Sequence, residues 1–241
     1  MKITDFVNIY HSEEKDGNMS SKHAGEEIGS KNRKSFLEKH SLDYNNFIYM
    51  SVSNDTNFVI INKKEDFNDD SDVKINGVIT KNKDLIFGLV TADCAPIIMY
   101  DKDMEVLVLL HGSMFNIDNG ILEKIILQMK SSFNTNPKDI LVYIGPSIRK
   151  ESYKYDKNIF SKLTDNSEIR KTLTKDSDSV YRIDIPQTIK NILIKEGVNE
   201  NNILDSGIDT YTNKRYSSHV YTWENNLPEF RFLTVVKIKD F

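Results

Sequence analysis

The stretch from Leu85 to Gly112, LIFGLVTADCAPIIMYDKDMEVLVLLHG, constrains the fold of this chain more than any other. Its three apolar runs, Ile86 to Val90, Pro96 to Tyr100 and Glu105 to Leu110, are short and bounded by turn chemistry, which reads as three buried strands. A tight polar corner, Thr91-Ala92-Asp93-Cys94, separates the first two, and a turn at Asp101-Lys102-Asp103 separates the second and third. Cys94, the chain's one cysteine, and His111, the histidine set in an apolar run, therefore fall at strand ends. A sheet supports such positions rigidly while leaving them at the edge of a cleft, where a thiol and an imidazole can do chemistry. The same two residues also fit a plainer reading, a small core cysteine and a satisfied strand-end histidine.

The rest of the chain supplies elements to surround these strands. Residues 3 to 10 read as a first strand, and the polar stretch from Ser12 to Gly29 as a loop region carrying His11 and His23. Ser30 can N-cap a helix over 31–40 whose apolar face is Phe36 and Leu37. Phe47 to Val52 and Phe58 to Ile61 are strands flanking the turn Ser53-Asn54-Asp55-Thr56, and Ile75 to Thr80 is another. Ile121, Leu122, Ile125, Ile126 and Met129 recur at helical spacing within 118–130. The strand Ile140 to Ile144 runs into the turn Gly145-Pro146. Asp184 can N-cap a helix over 185–196, with Pro186 in its first turn and Gly197 past its end. Ile203 to Ile208 and Arg231 to Ile238 read as the last strands. The pattern predicts an α/β domain of the α+β type, with a mixed, largely antiparallel sheet packed by those helices.

Composition narrows the class. At 241 residues, 39% hydrophobic and 28% charged, the chain fits one domain over 1–241 with a full core. The 32 bases and 36 acids form no basic block, so a nucleic-acid backbone is not an expected partner. The acidic run Asp66 to Asp72 reads as a solvated loop. A lone cysteine forms no intramolecular disulfide, and MKITDFVNIYHSEEKDG lacks the apolar run of a secretory signal. No segment approaches the ~20 apolar residues that span a bilayer, so a cytoplasmic address and no membrane partner are expected.

Thr91-Ala92-Asp93-Cys94-Ala95-Pro96, then an apolar strand, an acidic turn and a second apolar strand ending in His111-Gly112, resembles the core signature of the laccase-domain family. Its members are also called multicopper polyphenol oxidase domains or zinc-type purine nucleoside phosphorylases. Asn32-Arg33, Gly145-Pro146 with Tyr153 and Phe160, the helix led by Asp184 and ending in Gly197-Val198, and Ser218-His219 match the family in order, so the resemblance covers about residues 8 to 238. It implies the family fold, catalytic roles for Cys94 and His111, and substrate binding by Asn32, Arg33, Ser218 and Arg231. It also implies a zinc ion held by Cys94, His111 and one further histidine, with phosphate as co-substrate and a purine nucleoside as the small-molecule partner. Such a centre, with an open fourth position, lowers the pKa of bound water toward ~7. The implied activities are phosphorolysis or deamination of adenosine, inosine or methylthioadenosine.

The chain departs from the family at several of these positions. The first histidine ligand falls at Ser53, and a serine hydroxyl is a poor zinc ligand. His23 and His219 are the candidates to replace it. Gly112, Ser113, Met114, Phe115 and Asn116 stand where the family has alanine-glycine-tryptophan-arginine-glycine, and Val220 and Tyr221 stand where it has two arginines. Three readings follow: a purine nucleoside phosphorylase-like enzyme with a degraded metal site, a metal-free Cys94-His111 hydrolase, and a binding module that has lost catalysis. Copper oxidation is the weakest reading, because one cysteine and five scattered histidines cannot furnish several copper centres. The sequence sets no oligomeric state.

Overall fold

The computed structural model describes residues 1–67, 74–165 and 167–240. Its strands are β1 (Val7–His11), β2 (Phe47–Met50), β3 (Phe58–Ile60), β4 (Gly77–Thr80), β5 (Ile86–Thr91), β6 (Ala95–Asp101) and β7 (Val106–Gly112). They continue with β8 (Ile140–Ile144), β9 (Lys154–Asp156), β10 (Thr174–Lys175), β11 (Val180–Arg182), β12 (Ile203–Asp205) and β13 (Phe232–Ile238). The helices are α1 (Ser21–Ala24), α2 (Glu26–Lys39), α3 (Met114–Asp118), α4 (Ile121–Phe133), α5 (Ile159–Lys162), α6 (Glu168–Thr172), α7 (Ile185–Lys195) and α8 (His219–Glu224). Of the acidic run expected to be a solvated loop, residues 68–72 lie outside the described residues.

The mixed α/β class is the one expected, but the sheet is divided. A four-stranded sheet has the order β1-β13-β5-β2, a six-stranded sheet β12-β8-β6-β7-β4-β3, and a small third sheet β10-β11-β9. The pairs β2–β5, β3–β4 and β8–β12 are parallel and the rest antiparallel. β5 and β6, adjacent in sequence, belong to different sheets. Asp93 causes the division: its φ of +81° turns the chain out of the plane of β5, so Ala92-Asp93-Cys94 carries it across to the second sheet.

Side-chain alternation then builds the layers. Ile98, Tyr100, Leu107 and Leu109 of the six-stranded sheet pack against Ile48, Phe87, Leu89 and Val236 of the four-stranded one. The opposite face of the six-stranded sheet, with Ile97, Met99, Val108 and Leu110, packs against α3, α4 and α7 through residues such as Ile117, Ile125, Ile126, Ile189 and Leu193. The outer face of the four-stranded sheet is covered by Phe36 and Leu37 of α2. Each fully buried aliphatic side chain stabilises this stack by roughly 1.5–3 kcal/mol.

The helices differ from expectation mainly at their starts. α2 begins at Glu26 behind Gly25, whose φ is +86°, and Ser30 bonds the Tyr44 hydroxyl at 3.1 Å instead of capping. The helix expected over 118–130 is α4, which starts at Ile121 behind Gly120 with φ +79°, and a separate short helix, α3 capped by Ser113, precedes it. α7 starts as the sequence indicates, with the Asp184 carboxylate accepting from the Gln187 N–H at 3.0 Å. His11 is not in the loop but closes β1. Its ring lies 2.9 Å from Thr234 Oγ1 and 3.2 Å from the Tyr143 hydroxyl, so it ties the two large sheets together. No helix among the described residues is long and apolar enough to cross a membrane.

Candidate active site

The corner between the sheets is held by Asp93. Its carboxylate accepts from Thr210 Oγ1 at 2.7 Å, from the Val220 N–H at 2.8 Å and from the Ser218 hydroxyl. Its backbone carbonyl accepts from the Ile148 N–H at 3.0 Å. Burial pushes the Asp93 carboxyl up, and these hydrogen bonds only partly offset it. Three separate segments, at Ile148, at Thr210 and at the start of α8, thereby fix the backbone that presents Cys94. The thiol has no hydrogen-bond partner among the described residues, and burial, reinforced by the charge of Asp93, pushes it up to about 12. A thiol in that state is neutral at physiological pH.

His111 reaches the same region from β7. Pro96 pairs with His111 and Ala95 with Gly112, so alternation puts His111 on the face that looks toward the four-stranded sheet, at the end of β7 beside the start of β6 that Cys94 immediately precedes. The imidazole is buried, which lowers its pKa to about 4 against an opposing hydrogen bond to the Ser53 backbone. Its Nδ1 lies 3.2 Å from Asn76 Oδ1, an atom that can only accept. His111 is therefore a neutral ring that donates from Nδ1 to Asn76 Oδ1. No thiol–imidazole hydrogen bond joins Cys94 to His111 among the described residues.

Ser53, which the resemblance assigns to the family's first histidine, is committed elsewhere. Its hydroxyl donates to Asp55 Oδ2 at 2.8 Å and accepts from Asn76 Nδ2 at 2.9 Å, while its N–H donates to Asn76 Oδ1 at 3.0 Å. Asn76 Nδ2 also donates to Asp55 Oδ1 at 2.7 Å, and Asn116 Nδ2 donates to the carbonyls of Ser53 and Asp55. The pattern fixes the orientation of the Asn76 amide and closes a polar knot behind His111. Among the described residues no three His, Cys, Asp or Glu side chains come together so as to hold a metal ion.

The remaining expected residues divide into two groups. Arg231 directly precedes Phe232, whose register partner is Thr91, so it lies across from Ala92 at the mouth of the corner. His219 opens α8, and its Nδ1 is 2.6 Å from Glu229 Oε1. His23, in α1, is lowered by burial first and then by the nearby charge of Arg231. Ser218 caps α8, accepting from the Tyr221 N–H at 3.1 Å. Asn32 and Arg33 instead brace the segment before α1: Asn32 Nδ2 donates to the Asn18 carbonyl at 2.9 Å and Arg33 Nη1 to the Met19 carbonyl at 2.7 Å. The Arg33 guanidinium is buried with its plane 4.1 Å from the centre of the Tyr49 ring.

Asp55, Asn76, Asn116, Thr210 and Glu229 are site residues that sequence reasoning missed. The only local signal was the turn-rich composition around Ser53 and the Asn76-Gly77 step before β4. Beside Ser218 and Thr210 opens a cavity of about 380 Å³ walled by Tyr211, Tyr216, Tyr221 and Phe230. Of the two residues where the resemblance leads one to expect arginines, Val220 gives its N–H to Asp93 and Tyr221 meets Tyr211 edge to face at 5.5 Å.

The family described as multi-copper polyphenol oxidoreductase laccase matches residues 12–227. The purine nucleoside phosphorylase of Clostridium acetobutylicum is 27% identical over 175 residues, covering 70% of this chain and 71% of the relative. That of Rickettsia prowazekii is 28% identical over 171 residues, covering 68% of each. The structure is similar to that of the hypothetical protein YfiH of Bacillus licheniformis, with a TM-score of 0.81 at 20% identity over 92% of this chain and 85% of the other. YlmD from Geobacillus stearothermophilus gives 0.80 at 19% identity over the same shares. With the Asp93-Cys94 corner and His111 in place on this fold, the chain belongs to the multi-copper polyphenol oxidoreductase laccase family.

Proposed function

We propose that this chain binds purine nucleosides in the cleft where β5 passes to β6, with phosphate as co-substrate, and turns them over slowly or not at all. The observation that carries the reading is a divided one. The Asp93-Cys94 corner leads into β6 beside the end of β7 that carries His111, while the hydroxyl of Ser53, which the family resemblance assigns to the remaining ligand position, is spent on Asp55 and Asn76.

Zinc, when bound in such a site, supplies a polarised water or a Lewis acid. The residues here do not fit a three-ligand centre: Cys94 and His111 stand at two of the expected ligand positions, no group of three metal-ligating side chains forms among the described residues, and His219 is engaged by Glu229. What the chain's own residues supply is shape and charge. Asp93 fixes the corner, Arg231 brings positive charge to its mouth, and the neighbouring aromatic cavity, which meets the corner through the Asp93 partners Thr210 and Ser218, has the volume and the stacking surfaces for a nucleoside. A thiol nucleophile would need a depressed pKa and a base in contact, and Cys94 has neither.

The test is a titration of inosine, adenosine and methylthioadenosine into the protein, followed by assay of base release with phosphate and of inosine formation from adenosine. The expected result is measurable binding with turnover that rises little on adding zinc. Absence of binding by all three nucleosides overturns the reading.

A further inference from the structure

We propose that Glu229 is a built-in anion of this site: its carboxylate bridges Arg231 and His219, so inorganic phosphate binds there only by displacing it. The proposal rests on the reading of the β5–β6 corner as the substrate cleft.

The two donors come from different elements and converge on that corner. Arg231 stands at the start of β13, across from Ala92, and His219 stands at the start of α8, next to the Val220 N–H that grips Asp93. One carboxylate joins them. Glu229 Oε1 lies 2.6 Å from His219 Nδ1, and Oε2 lies 2.5 Å from Arg231 Nη1. The Arg231 side chain is 17% exposed and that of Glu229 is 28% exposed, so the pair is partly shielded yet open to a solute.

The loop does not depend on the carboxylate for its course. The Glu229 carbonyl accepts from Asn18 Nδ2 at 3.0 Å, and Asn18 Oδ1 accepts from the Arg231 N–H at 3.1 Å. The carboxylate can therefore swing away while the backbone stays tied to Asn18. Arg231 Nη1 also donates to the Phe230 carbonyl at 2.8 Å, and its Nε and Nη2 have no hydrogen-bond partner among the described residues. Those two donors, with Nη1 and the imidazole released, form the planar fork that suits a tetrahedral oxyanion. Burial pushes the Glu229 carboxyl up, but Arg231 and His219 outweigh it and hold it below the usual carboxylate range. It is thus fully ionised at neutral pH. A tethered competitor acts at an effective concentration of the millimolar order or above, which costs an external anion about tenfold or more in apparent affinity.

The experiment is calorimetric titration of inorganic phosphate at low ionic strength into the parent protein, Glu229→Gln and the double variant Glu229→Gln/Arg231→Gln, each checked for folding by circular dichroism. Phosphate is expected to bind Glu229→Gln about tenfold more tightly than the parent, with the gain lost in the double variant. Glu229→Asp, whose carboxylate is too short to span Arg231 and His219, is expected to give an intermediate gain, and it serves if the glutamine variant fails to fold. Unchanged phosphate affinity in both single variants, or a gain that survives loss of Arg231, overturns the proposal. Inosine titrated into the parent judges the functional reading separately: no inosine binding, together with the phosphate gain, removes the nucleoside reading and leaves Glu229 as the anion of an oxyanion site.

Discussion

Ser53 and Asp93 show how differently two single residues of one site can be read. Ser53 is conspicuous as a departure from the family pattern, yet its partners Asp55, Asn76 and Asn116 come from two other points in the sequence and no periodicity announces them. Asp93 reads as part of a motif, while its left-handed backbone and its grip on Thr210 and Val220 need the folded chain to be seen. The carboxylate of Asp93 is buried with several donors aimed at it, so its removal leaves those donors unpaired. Asp93→Ala is expected to lower stability by about 2–3 kcal/mol, measured by urea denaturation against the parent. A loss within about 0.5 kcal/mol, the range of an inert surface change, would show that the corner is held by other means.

At the scale of elements, continuous apolar runs were the legible part. β6, β7, β8 and the amphipathic α4 and α7 fall where their runs and helical spacing indicate, because burial on both faces or on one stripe leaves a local record. The allocation of β5 and β6 to different sheets leaves none, since alternation says which face a residue takes and not which strand it meets. The start of α2 was missed because its cap is Gly25 rather than a side-chain acceptor, and α8 because six residues are too few for a periodic pattern. α8 depends on its cap. Ser218 both accepts from the Tyr221 N–H and donates to Asp93, so Ser218→Ala is expected to cost about 1–2 kcal/mol. Thermal unfolding of the two proteins checks this, and faster hydrogen exchange confined to 218–224 would localise it.

For the whole molecule, His11 makes the packing of the two large sheets sensitive to acid. Burial lowers its pKa to about 4, whereas an unfolded chain takes up the proton near 6.5. Between those values the unfolded state binds more protons, so stability is full above about pH 6.5 and falls as the pH drops toward 4. The expected loss from this residue is about 2 kcal/mol between pH 7 and pH 5, read from denaturant midpoints, with His11→Gln showing a shallower decline. Asp205, paired with Arg149 at 2.9 and 2.7 Å and with Lys190 at 2.9 Å, is drawn down to about 2 by those partners despite its burial. Its contribution is present above the usual carboxylate pKa and is lost only below about pH 4, so it leaves the His11 window undisturbed. The account as a whole holds that the family fold persists here around a donor set that does not complete a zinc centre. Elemental mass spectrometry of zinc in the purified parent and in Ser53→His, prepared side by side, tests this most directly. The account predicts well under one zinc per parent chain and a clear rise in the histidine variant, whereas one zinc per chain in the parent, unchanged in the variant, would contradict it.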